Sequence, residues 1–498
     1  MGLIILAALL ALATVVAWLI YTYFFSPLAS IPNAGILAPV SRLLWEFPSE
    51  YQGKVTLELP KLHKKLGPLV RIGPNQISFY SLDIYKTVHA PHSPFAKDPR
   101  VYNQFVQDGH PALFSITDTK EHAQRRRHMG ILFNRSKVPA LTEMMLEQID
   151  KWIKCLSLVM VEGPIDLGPS CRALESDIVS TFAFGNAIGG IESFQKGDEL
   201  AVIKENDLKS AKMPVYVNFP VAVGLWHSVA ASVYRLSGWE VSSVISSQRF
   251  DKWADSQLFG MKDSEKAPRI SFLKVMAGAR VSEQSALSEA KEMLGPGTDT
   301  TSATLAHIIY ALAFNQPFQV ELVTELDASG WPTDMSALEA IPCLVASVKE
   351  GIRWTGAAAA MLPRIVPRGG YSLAGKHLPG GTMISSSPIW YLRDETAFPD
   401  PERYKPSRWL GQEKNEATSR RDDYYIPFSK GASTCIGNHF AYLELFLSLS
   451  QLLKRYSIHP IDPSVANDAD YEAVLPPRRE WVAAVPLNRL EVVLQERS

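Results

Sequence analysis

The sequence contains few cysteines, almost no net charge and no repeats, and each of these features excludes a class of protein. Its 498 residues include four cysteines, which are scattered and match no zinc-binding spacing. So few thiols in so long a chain argue against a disulfide framework and indicate a reducing compartment. A net charge of −1 gives no electrostatic basis for binding nucleic acid. No low-complexity tract or dinucleotide-binding fingerprint is present.

The first 25 residues are the most apolar part of the chain. Residues 2–25 carry no charged side chain, and the first lysine or arginine is Arg42. A helix of this length, rising about 1.5 Å per residue, spans a bilayer core of about 30 Å. A cleaved signal peptide is the alternative, but the apolar run is too long for one and lacks a basic segment before it. We therefore expect a membrane anchor at 1–25, a proline-containing hinge at 26–36 and a catalytic domain at 37–498.

One cysteine lies in a loop that contains several glycines. The loop runs from Phe428 to Gly437 and precedes an apolar stretch that predicts a helix. Cys435 therefore lies near a helix N-terminus, where free N–H groups and the helix dipole favour the thiolate. Gly431 and Gly437 permit positive φ and close approach to a flat ligand. Such a thiolate suits the axial position of a haem iron, whereas the alternative is an ordinary buried cysteine.

A basic helical stretch covers residues 121–128. His122 and Arg126 are four residues apart and share one helix face. Two donors on one face can hold a carboxylate, which arginine binds in bidentate fashion. A solvated basic surface is the alternative.

A long helical pattern over residues 285–315 is interrupted by Pro296, which has a glycine on each side. Proline lacks the N–H that the carbonyl four residues earlier needs, so we expect the helix to bend or open there. Asp299 and Thr300 follow directly. A free carbonyl beside a carboxylate and a hydroxyl can hold water and pass protons inward. The alternative is a solvent-side capping turn that begins a second helix.

A third helical stretch carries Glu350 and Arg353. Three residues apart, the two side chains lie on one helix face and can form an ion pair. An E-x-x-R pattern occurs about once by chance in a chain of this size and composition, so it is weak alone.

Taken together, these motifs resemble those of the cytochromes P-450. The haem-loop signature F-x-x-G-x-R-x-C-x-G of that family is matched at Phe428, Gly431, Cys435 and Gly437. It departs at Ser433, where the family usually has a basic residue that pairs with a haem propionate. The resemblance covers nearly the whole chain, and its four motifs occur in the family's order.

The resemblance implies three groups of site residues. Those that bind haem b are His122, Arg126, Arg364, Phe428, Gly431, Cys435 and Gly437, with Cys435 as the ligand of the iron. Asp299 and Thr300 deliver protons, and Glu350, Arg353 and Arg403 form a buried structural triad. Arg364 matches a position that often contacts a propionate and would offset the charge missing at Ser433.

The resemblance also implies a mainly α fold with a smaller β region, tethered by one transmembrane helix. The expected activity is that of a monooxygenase that hydroxylates, desaturates or rearranges a hydrophobic small molecule. Its electrons come from NADPH through a separate cytochrome P-450 reductase. Residues 349–354 and 401–409 are similar to those of fungal biosynthetic members, which suggests a secondary metabolite, such as a polyketide aromatic of the mycotoxin type. We expect the endoplasmic reticulum membrane, with the catalytic domain on the cytosolic face.

Two alternatives to the monooxygenase remain open. One is a haem-thiolate isomerase or peroxygenase that needs no reductase, although the intact Asp299-Thr300 pair favours the oxygenase. The other is a non-catalytic haem-binding membrane protein, suggested by the departures at Ser433 and Pro296.

Overall fold

The computed structural model describes residues 2–239, 242–260, 271–278, 281–411, 413–462, 464 and 473–497. The other residues of the predicted domain 37–498 lie outside the described part of the chain. A helix, Gly2–Ile20, begins the chain and continues into a π-helical turn, Tyr21–Phe25. Its apolar span Ile4–Phe25 has a mean hydropathy of 2.6, which is long and apolar enough to cross a membrane. This confirms the predicted N-terminal helix.

The segment after this helix packs onto the domain. Leu28 and Ile31 are buried in a cluster with the strands of the main sheet. Buried Arg71 donates to the Thr22 carbonyl (3.0 Å) and to the Ser26 hydroxyl (3.3 Å). The predicted hinge therefore lies against the sheet, and its boundaries at 26–36 stay a prediction.

The α-helices are α1 (Gly2–Ile20), α2 (Glu46–Tyr51), α3 (Val55–Leu66), α4 (Leu82–Val88), α5 (Pro99–Tyr102), α6 (Thr119–Phe133), α7 (Thr142–Val159), α8 (Leu167–Phe184), α9 (Gly190–Gln195), α10 (Ala201–Asn218), α11 (Pro220–Ser237), α12 (Ser242–Gly260), α13 (Phe272–Ala277), α14 (Glu283–Phe314), α15 (Gln316–Ala328), α16 (Met335–Leu338), α17 (Pro342–Thr355), α18 (Pro388–Leu392), α19 (Glu416–Tyr424) and α20 (Asn438–Arg455). The strands are β1 (Leu69–Gly73), β2 (Gln76–Phe79), β3 (Ala96–Lys97), β4 (Ile165–Asp166), β5 (Arg364–Ile365), β6 (Tyr371–Leu373), β7 (Lys376–Leu378), β8 (Met383–Ser385), β9 (Tyr456–His459), β10 (Arg478–Glu480), β11 (Ala484–Pro486) and β12 (Glu491–Glu496). The mainly α fold with a smaller β region is confirmed.

The helical core is built around α14. This helix packs against α8, α13, α17 and α20, and apolar side chains from these helices form one large buried cluster. Because other helices enclose α14 on several sides, most of its side chains are buried. An amphipathic surface helix, in contrast, buries the side chains of one stripe.

The main sheet has five strands in the order β1-β2-β8-β5-β3. Strands β1 and β2 form an antiparallel hairpin in which Leu69 lies opposite Phe79. Strand β8 pairs parallel with β2 and antiparallel with β5, which carries Arg364. Strand β3, which carries Lys97, pairs with β5. The sheet therefore places these two cations opposite each other.

Helix α14 differs from expectation at Pro296. An opening of the helix at Pro296 is excluded, because α14 is one continuous helix from Glu283 to Phe314, and the predicted bend stays a prediction. The Thr300 hydroxyl donates to the Pro296 carbonyl at 2.8 Å, one turn earlier on the same helix. The proline removes only one backbone hydrogen bond, and the packing of a buried 32-residue helix outweighs that loss.

Candidate active site

Backbone hydrogen bonds shape the cysteine loop just before α20. The Cys435 N–H donates to the Phe428 carbonyl (2.9 Å), and the Thr434 N–H donates to the Gly431 carbonyl (3.1 Å). Between these contacts lies a 3-10 turn, Gly431–Ser433. The loop thus folds back on itself and holds the cysteine in place before the helix.

The two loop glycines serve different purposes. Gly431 has a φ of 72°, and a Cβ there would lie 1.9 Å from the His89 carbonyl oxygen. Only glycine fits this position, as predicted. Gly437 has a φ of −83°, so the predicted positive φ is wrong there. A Cβ at Gly437 would lie 4.0 Å from the Cys435 sulfur, so glycine leaves space beside that atom.

The charge state of the Cys435 thiol differs from the prediction. Cys435 is an exposed residue, but the protein atoms packed around its thiol raise the pKa of that thiol by desolvation. A hydrogen bond from the Gly437 backbone and the charge of Arg126 oppose this rise without cancelling it. The prediction that the helix N-terminus alone lowers this pKa is therefore wrong. A bound metal ion deprotonates a coordinating thiol by itself.

Four basic side chains lie close together beside the loop. We call Lys97, His122, Arg126 and Arg364 the cationic cluster. Burial and, next, the charge of Arg364 lower the pKa of Lys97 to about 7, although the carboxylates of Glu292 and Glu289 oppose this change. Burial, followed by the charges of Lys97, Arg126 and Arg364, lowers the pKa of His122 to about 3. The three predicted residues of this group are thus together, and Lys97 joins them.

The members of the cationic cluster donate to neutral oxygens. Arg126 donates to the Thr434 carbonyl in the cysteine loop (2.6 Å), and Arg364 donates to the Tyr102 hydroxyl (2.8 Å). Lys97 donates to two backbone carbonyls at 3.1 and 2.7 Å. Within the described part of the chain, none of these three side chains forms an ion pair with a carboxylate. Buried Lys97 and Arg364 and half-buried Arg126 therefore share a region in which the only carboxylates that act on Lys97, those of Glu289 and Glu292, are not in direct contact with it in the described part of the chain.

A buried histidine lies next to the cluster. His89 stacks on Tyr85 with ring centroids 4.3 Å apart, and neither of its ring nitrogens has a hydrogen-bond partner. Burial and the nearby charge of Arg364 hold its pKa well below the usual value. The Tyr85 hydroxyl bonds to the Ser429 hydroxyl (2.7 Å), which ties this helix to the cysteine loop. His89 is thus an unsatisfied polar group facing the same region.

This arrangement fits a haem. Buried cations without anionic partners are costly, and the two propionates of haem b would supply the missing negative charge beside Arg126, Arg364 and Lys97. Arg126 also bonds to the loop that presents Cys435, so the anion-binding groups and the sulfur border one region. Lys97 and Arg364 on the sheet would supply the positive charge that Ser433 lacks.

Helix α14 carries the predicted proton-delivery residues. Asp299 and Thr300 are half-buried, and Thr298 and Thr301 beside them are buried. The Thr301 side chain hydrogen-bonds to the buried carboxyl of Glu444, nine residues after Cys435 on α20. Burial raises the pKa of this carboxyl. The α14 segment is thus tied to the helix that follows the cysteine loop.

The predicted triad around Glu350 and Arg353 is present, but its third member is a different arginine from the predicted one. Arg353 Nη2 lies 2.8 Å from Glu350 Oε1, and both side chains are fully buried. The third member is Arg408, whose Nε lies 3.2 Å from the same oxygen. The prediction of Arg403 is wrong, because its side chain is exposed and only its backbone carbonyl accepts from Arg353 (3.1 Å). Trp409 completes the network by donating to Glu350 (3.0 Å).

Phe428 is placed by packing as well as by its carbonyl. Its ring contacts that of Tyr442 on α20, with centroids 5.6 Å apart.

A family model for Cytochrome P450 matches residues 37–482. The chain belongs to the cytochrome P450 family. This cytochrome P450 is accordingly an oxidoreductase that uses haem b, with electrons supplied from NAD(P)H through a reductase.

Known cytochromes P450 from fungi are similar to this chain over most of its length. "Cytochrome P450 monooxygenase macH" of Penicillium terrestre is 27% identical over 456 residues, which cover 88% of each chain. "Cytochrome P450 monooxygenase BipB" of Cochliobolus sativus is 27% identical over 467 residues, covering 90% of this chain and 88% of its own. "Conidiogenone synthase PchP450" of Penicillium rubens is 26% identical over 448 residues, covering 88% and 89%.

Proposed function

We propose that this cytochrome P450 is a membrane-anchored monooxygenase that oxidises a hydrophobic small molecule in fungal secondary metabolism. The observation that carries the proposal is the Cys435 loop bordered by the cationic cluster, whose lysine and two arginines form no ion pair with a carboxylate among the described residues. That combination offers a sulfur ligand for iron and a binding site for two propionates. The fungal relatives support the metabolic setting, and a polyketide aromatic is the expected scaffold.

Each site residue has a proposed task. Cys435 ligates the iron, and His122, Arg126 and Arg364 bind the propionates, with Lys97 as a further cation. Phe428, Gly431 and Gly437 shape the loop so that a flat ligand fits against it. Bound through a thiolate, haem supplies the activation of dioxygen.

Asp299 and Thr300 are the proposed proton-delivery residues. Thr300 donates its own hydroxyl proton to the Pro296 carbonyl (2.8 Å), which leaves its oxygen lone pairs free to accept from a water. Asp299, one residue earlier on the same helix, is half-buried and so has access to solvent protons. Replacing Asp299 with Asn should slow product formation by about 10²–10³-fold while haem binding stays unchanged. A solvent isotope effect that grows in this variant would identify proton transfer as the affected step.

The ligand assignment is tested on the full-length protein with carbon monoxide. Cys435→Ala should lose the absorption shift that carbon monoxide causes in a reduced haem-thiolate protein. Cys343→Ala removes a buried cysteine on α17 and should keep that shift, which makes it the matched control. A Cys435→Ala protein with an unchanged spectrum and unchanged turnover would contradict the proposal.

The reaction class is tested by leaving out one component at a time. The protein, placed in lipid vesicles with a cytochrome P450 reductase, should form product only when NADPH and dioxygen are both present. Product formation with hydrogen peroxide alone, or with no oxidant, would instead indicate the peroxygenase or the isomerase. No product from any candidate substrate class despite a normal carbon monoxide spectrum would favour the non-catalytic haem protein. Deleting the gene and identifying the metabolite that accumulates then defines the substrate.

We place the protein in the endoplasmic reticulum membrane, with α1 as a single anchor and the catalytic domain on the cytosolic face. The apolar span Ile4–Phe25 supports the anchor. Protease digestion of sealed microsomes should remove the catalytic domain and leave a short protected fragment. Protection of the whole chain would contradict this orientation.

A further inference from the structure

His89, directly after α4, carries a buried imidazole that no group in the described part of the chain satisfies. The residue is 4% exposed, and neither ring nitrogen has a hydrogen-bond partner among the described residues. A buried donor or acceptor without a partner costs free energy, so folded proteins retain few of them. A ring needed only for packing could be a phenylalanine, which has no polar atom to bury. The two nitrogens of His89 therefore call for a ligand.

Other buried histidines in the described part of the chain have partners. On α3, the ring nitrogens of His63 lie 2.9 Å from the Gly67 carbonyl oxygen and 2.8 Å from the Ser78 hydroxyl oxygen. On α14, one ring nitrogen of His307 lies 2.7 Å from a carbonyl oxygen of the same helix. Burial of a histidine in this fold thus normally comes with hydrogen bonds, and His89 differs.

Two contacts hold residue 89 against the cysteine loop. Its carbonyl oxygen would lie 1.9 Å from a Cβ at Gly431, so the two backbones touch. One turn earlier on α4, the Tyr85 hydroxyl bonds to the Ser429 hydroxyl at 2.7 Å. Ser429 has a φ of 60°, which residues other than glycine rarely adopt, so the loop takes an unusual backbone shape where it meets α4. His89 is therefore next to the turn Gly431–Ser433 of that loop.

Stacking and charge define what the imidazole can do. The ring lies on that of Tyr85, with centroids 4.3 Å and planes 23° apart, which occupies one ring face and leaves the edge with the nitrogens. Burial and, next, the charge of Arg364 hold the pKa of His89 well below its usual value. The imidazole is therefore neutral and has one N–H donor. Arg364 and this donor border the same region.

We infer that His89 is a further residue that binds the haem, donating a hydrogen bond to a propionate beside the uncharged Ser433. A propionate is the ligand rather than a substrate group, because residue 89 touches the loop that presents Cys435 and lies near Arg364. A neutral donor adds a directed hydrogen bond to a carboxylate without adding a charge that the cationic cluster would repel. This inference rests on the haem site of the proposed function.

Two histidine variants of the full-length holoprotein test the inference by the rate of haem transfer to an acceptor globin. His89→Phe keeps a ring against Tyr85 and removes both nitrogens. It should lose haem about tenfold faster than the unsubstituted protein, as expected for a lost hydrogen bond to a charged group. His63→Phe is the matched control and should leave the rate nearly unchanged, because the partners of His63 lie within the chain. No acceleration in His89→Phe, or equal acceleration in both, would overturn the inference.

Resonance Raman spectroscopy of the same holoproteins observes the propionates directly. The bending bands of the propionates should shift in His89→Phe and keep their positions in His63→Phe. A purely structural role of His89 would leave these bands in place. Unchanged bands in His89→Phe would therefore overturn the inference even if haem loss were faster.

Ser433→Arg tests where His89 acts, because it adds a guanidinium to the turn that residue 89 touches. In the His89→Phe protein it should slow haem loss several-fold more than it does in the otherwise unsubstituted protein, since only the variant lacks a donor there. Equal slowing in both proteins would overturn the placement of His89 beside Ser433.

The reduced carbon monoxide complex separates this inference from the haem site on which it rests. A normal carbon monoxide shift in all variants, together with propionate bands that do not respond to His89→Phe, overturns the inference and leaves the haem-thiolate site standing. Absence of the shift in the unsubstituted protein overturns both.

Discussion

The chain buries arginine in two places with opposite electrostatic surroundings. Arg353 lies against Glu350, which also accepts from Arg408 and Trp409, so that each buried charge there has a partner. In the cationic cluster, buried Arg364 and half-buried Arg126 donate to neutral oxygens, and no described carboxylate forms an ion pair with either. The first arrangement is complete within the chain and belongs to folding. The second needs an anionic ligand to balance its charge. A buried arginine that has no carboxylate partner within the protein therefore indicates a binding site.

Breaking the complete network should have the largest effect. Glu350→Gln keeps the shape of the side chain but leaves Arg353 buried without a counter-charge, so we expect a loss of about 3–5 kcal/mol in the free energy of unfolding. Urea denaturation followed by circular dichroism measures it. Glu395→Gln, in an exposed pair with Lys64, should change the free energy by less than about 0.5 kcal/mol. Equal effects of the two variants would contradict the assigned role.

The identity of the third network member can be tested with two nearby arginines. Arg408→Ala removes a side-chain bond to the buried carboxylate (3.2 Å) and should cost about 2 kcal/mol of unfolding free energy. Arg403→Ala keeps the backbone carbonyl that Arg353 uses and should cost no more than about 0.5 kcal/mol. The same urea denaturation compares them. A larger loss of unfolding free energy for Arg403→Ala than for Arg408→Ala would show that Arg403 is the third member of the network, as the sequence predicted.

In the cationic cluster, a neutral substitution should weaken the cofactor more than the fold. Arg364→Met removes a propionate partner and should speed haem loss about tenfold, equivalent to about 1.4 kcal/mol. It also relieves repulsion with Lys97, so the haem-free chain should be no less stable than before. Haem transfer to an acceptor globin measures the first effect. Arg368→Met, at an exposed position four residues later, is the control and should leave haem loss unchanged.

A further expected effect, measured as a slope, is a dependence of the stability of the haem-free chain on pH. Folding lowers the pKa of Lys97 from 10.5 to about 7. Between these values the unfolded chain binds more protons than the folded chain, so stability should rise with pH across this window. Lys97→Met should reduce the slope by at most about 1.4 kcal/mol per pH unit, whereas Lys120→Met, at an exposed position, should not. Denaturation at several pH values from 7 to 9.5 measures how the free energy of unfolding changes with pH. Identical slopes in all three proteins would show that folding does not lower the pKa of Lys97.

The motifs that were predictable from the sequence are those whose residues lie close together along the chain. Cys435 and Gly431 share one loop, His122 and Arg126 share one helix face, and Glu350 and Arg353 share another. Local geometry fixes such groups before any tertiary contact forms. The family resemblance then supplied the order in which they occur.

The residues that were missed are brought in by long-range packing. Lys97 joins the cationic cluster because β3 pairs with β5, far away along the chain. His89 has no local motif at all, although the carbonyl of the same residue is what restricts position 431 to glycine. The only sequence signal for Lys97 was a lone lysine in a stretch with turn residues around it, which is too common to be used.

Two predictions failed because a local rule was outweighed. Pro296 breaks isolated helices, but enclosure of α14 by α8, α17 and α20 keeps this one continuous. The helix N-terminus favours a thiolate at Cys435, but desolvation by the surrounding protein has the larger effect on its pKa. In both cases the deciding contribution comes from residues distant in sequence.

The buried guanidinium of Arg71 has a consequence for how this protein is engineered. Within the apolar span it binds a main-chain carbonyl, that of Thr22, and just after the span it binds the Ser26 hydroxyl. A foreign transmembrane helix spliced on at residue 25 would retain attachment to the bilayer. It would keep the native tilt of the domain only if its own final turn presented a carbonyl at the same place.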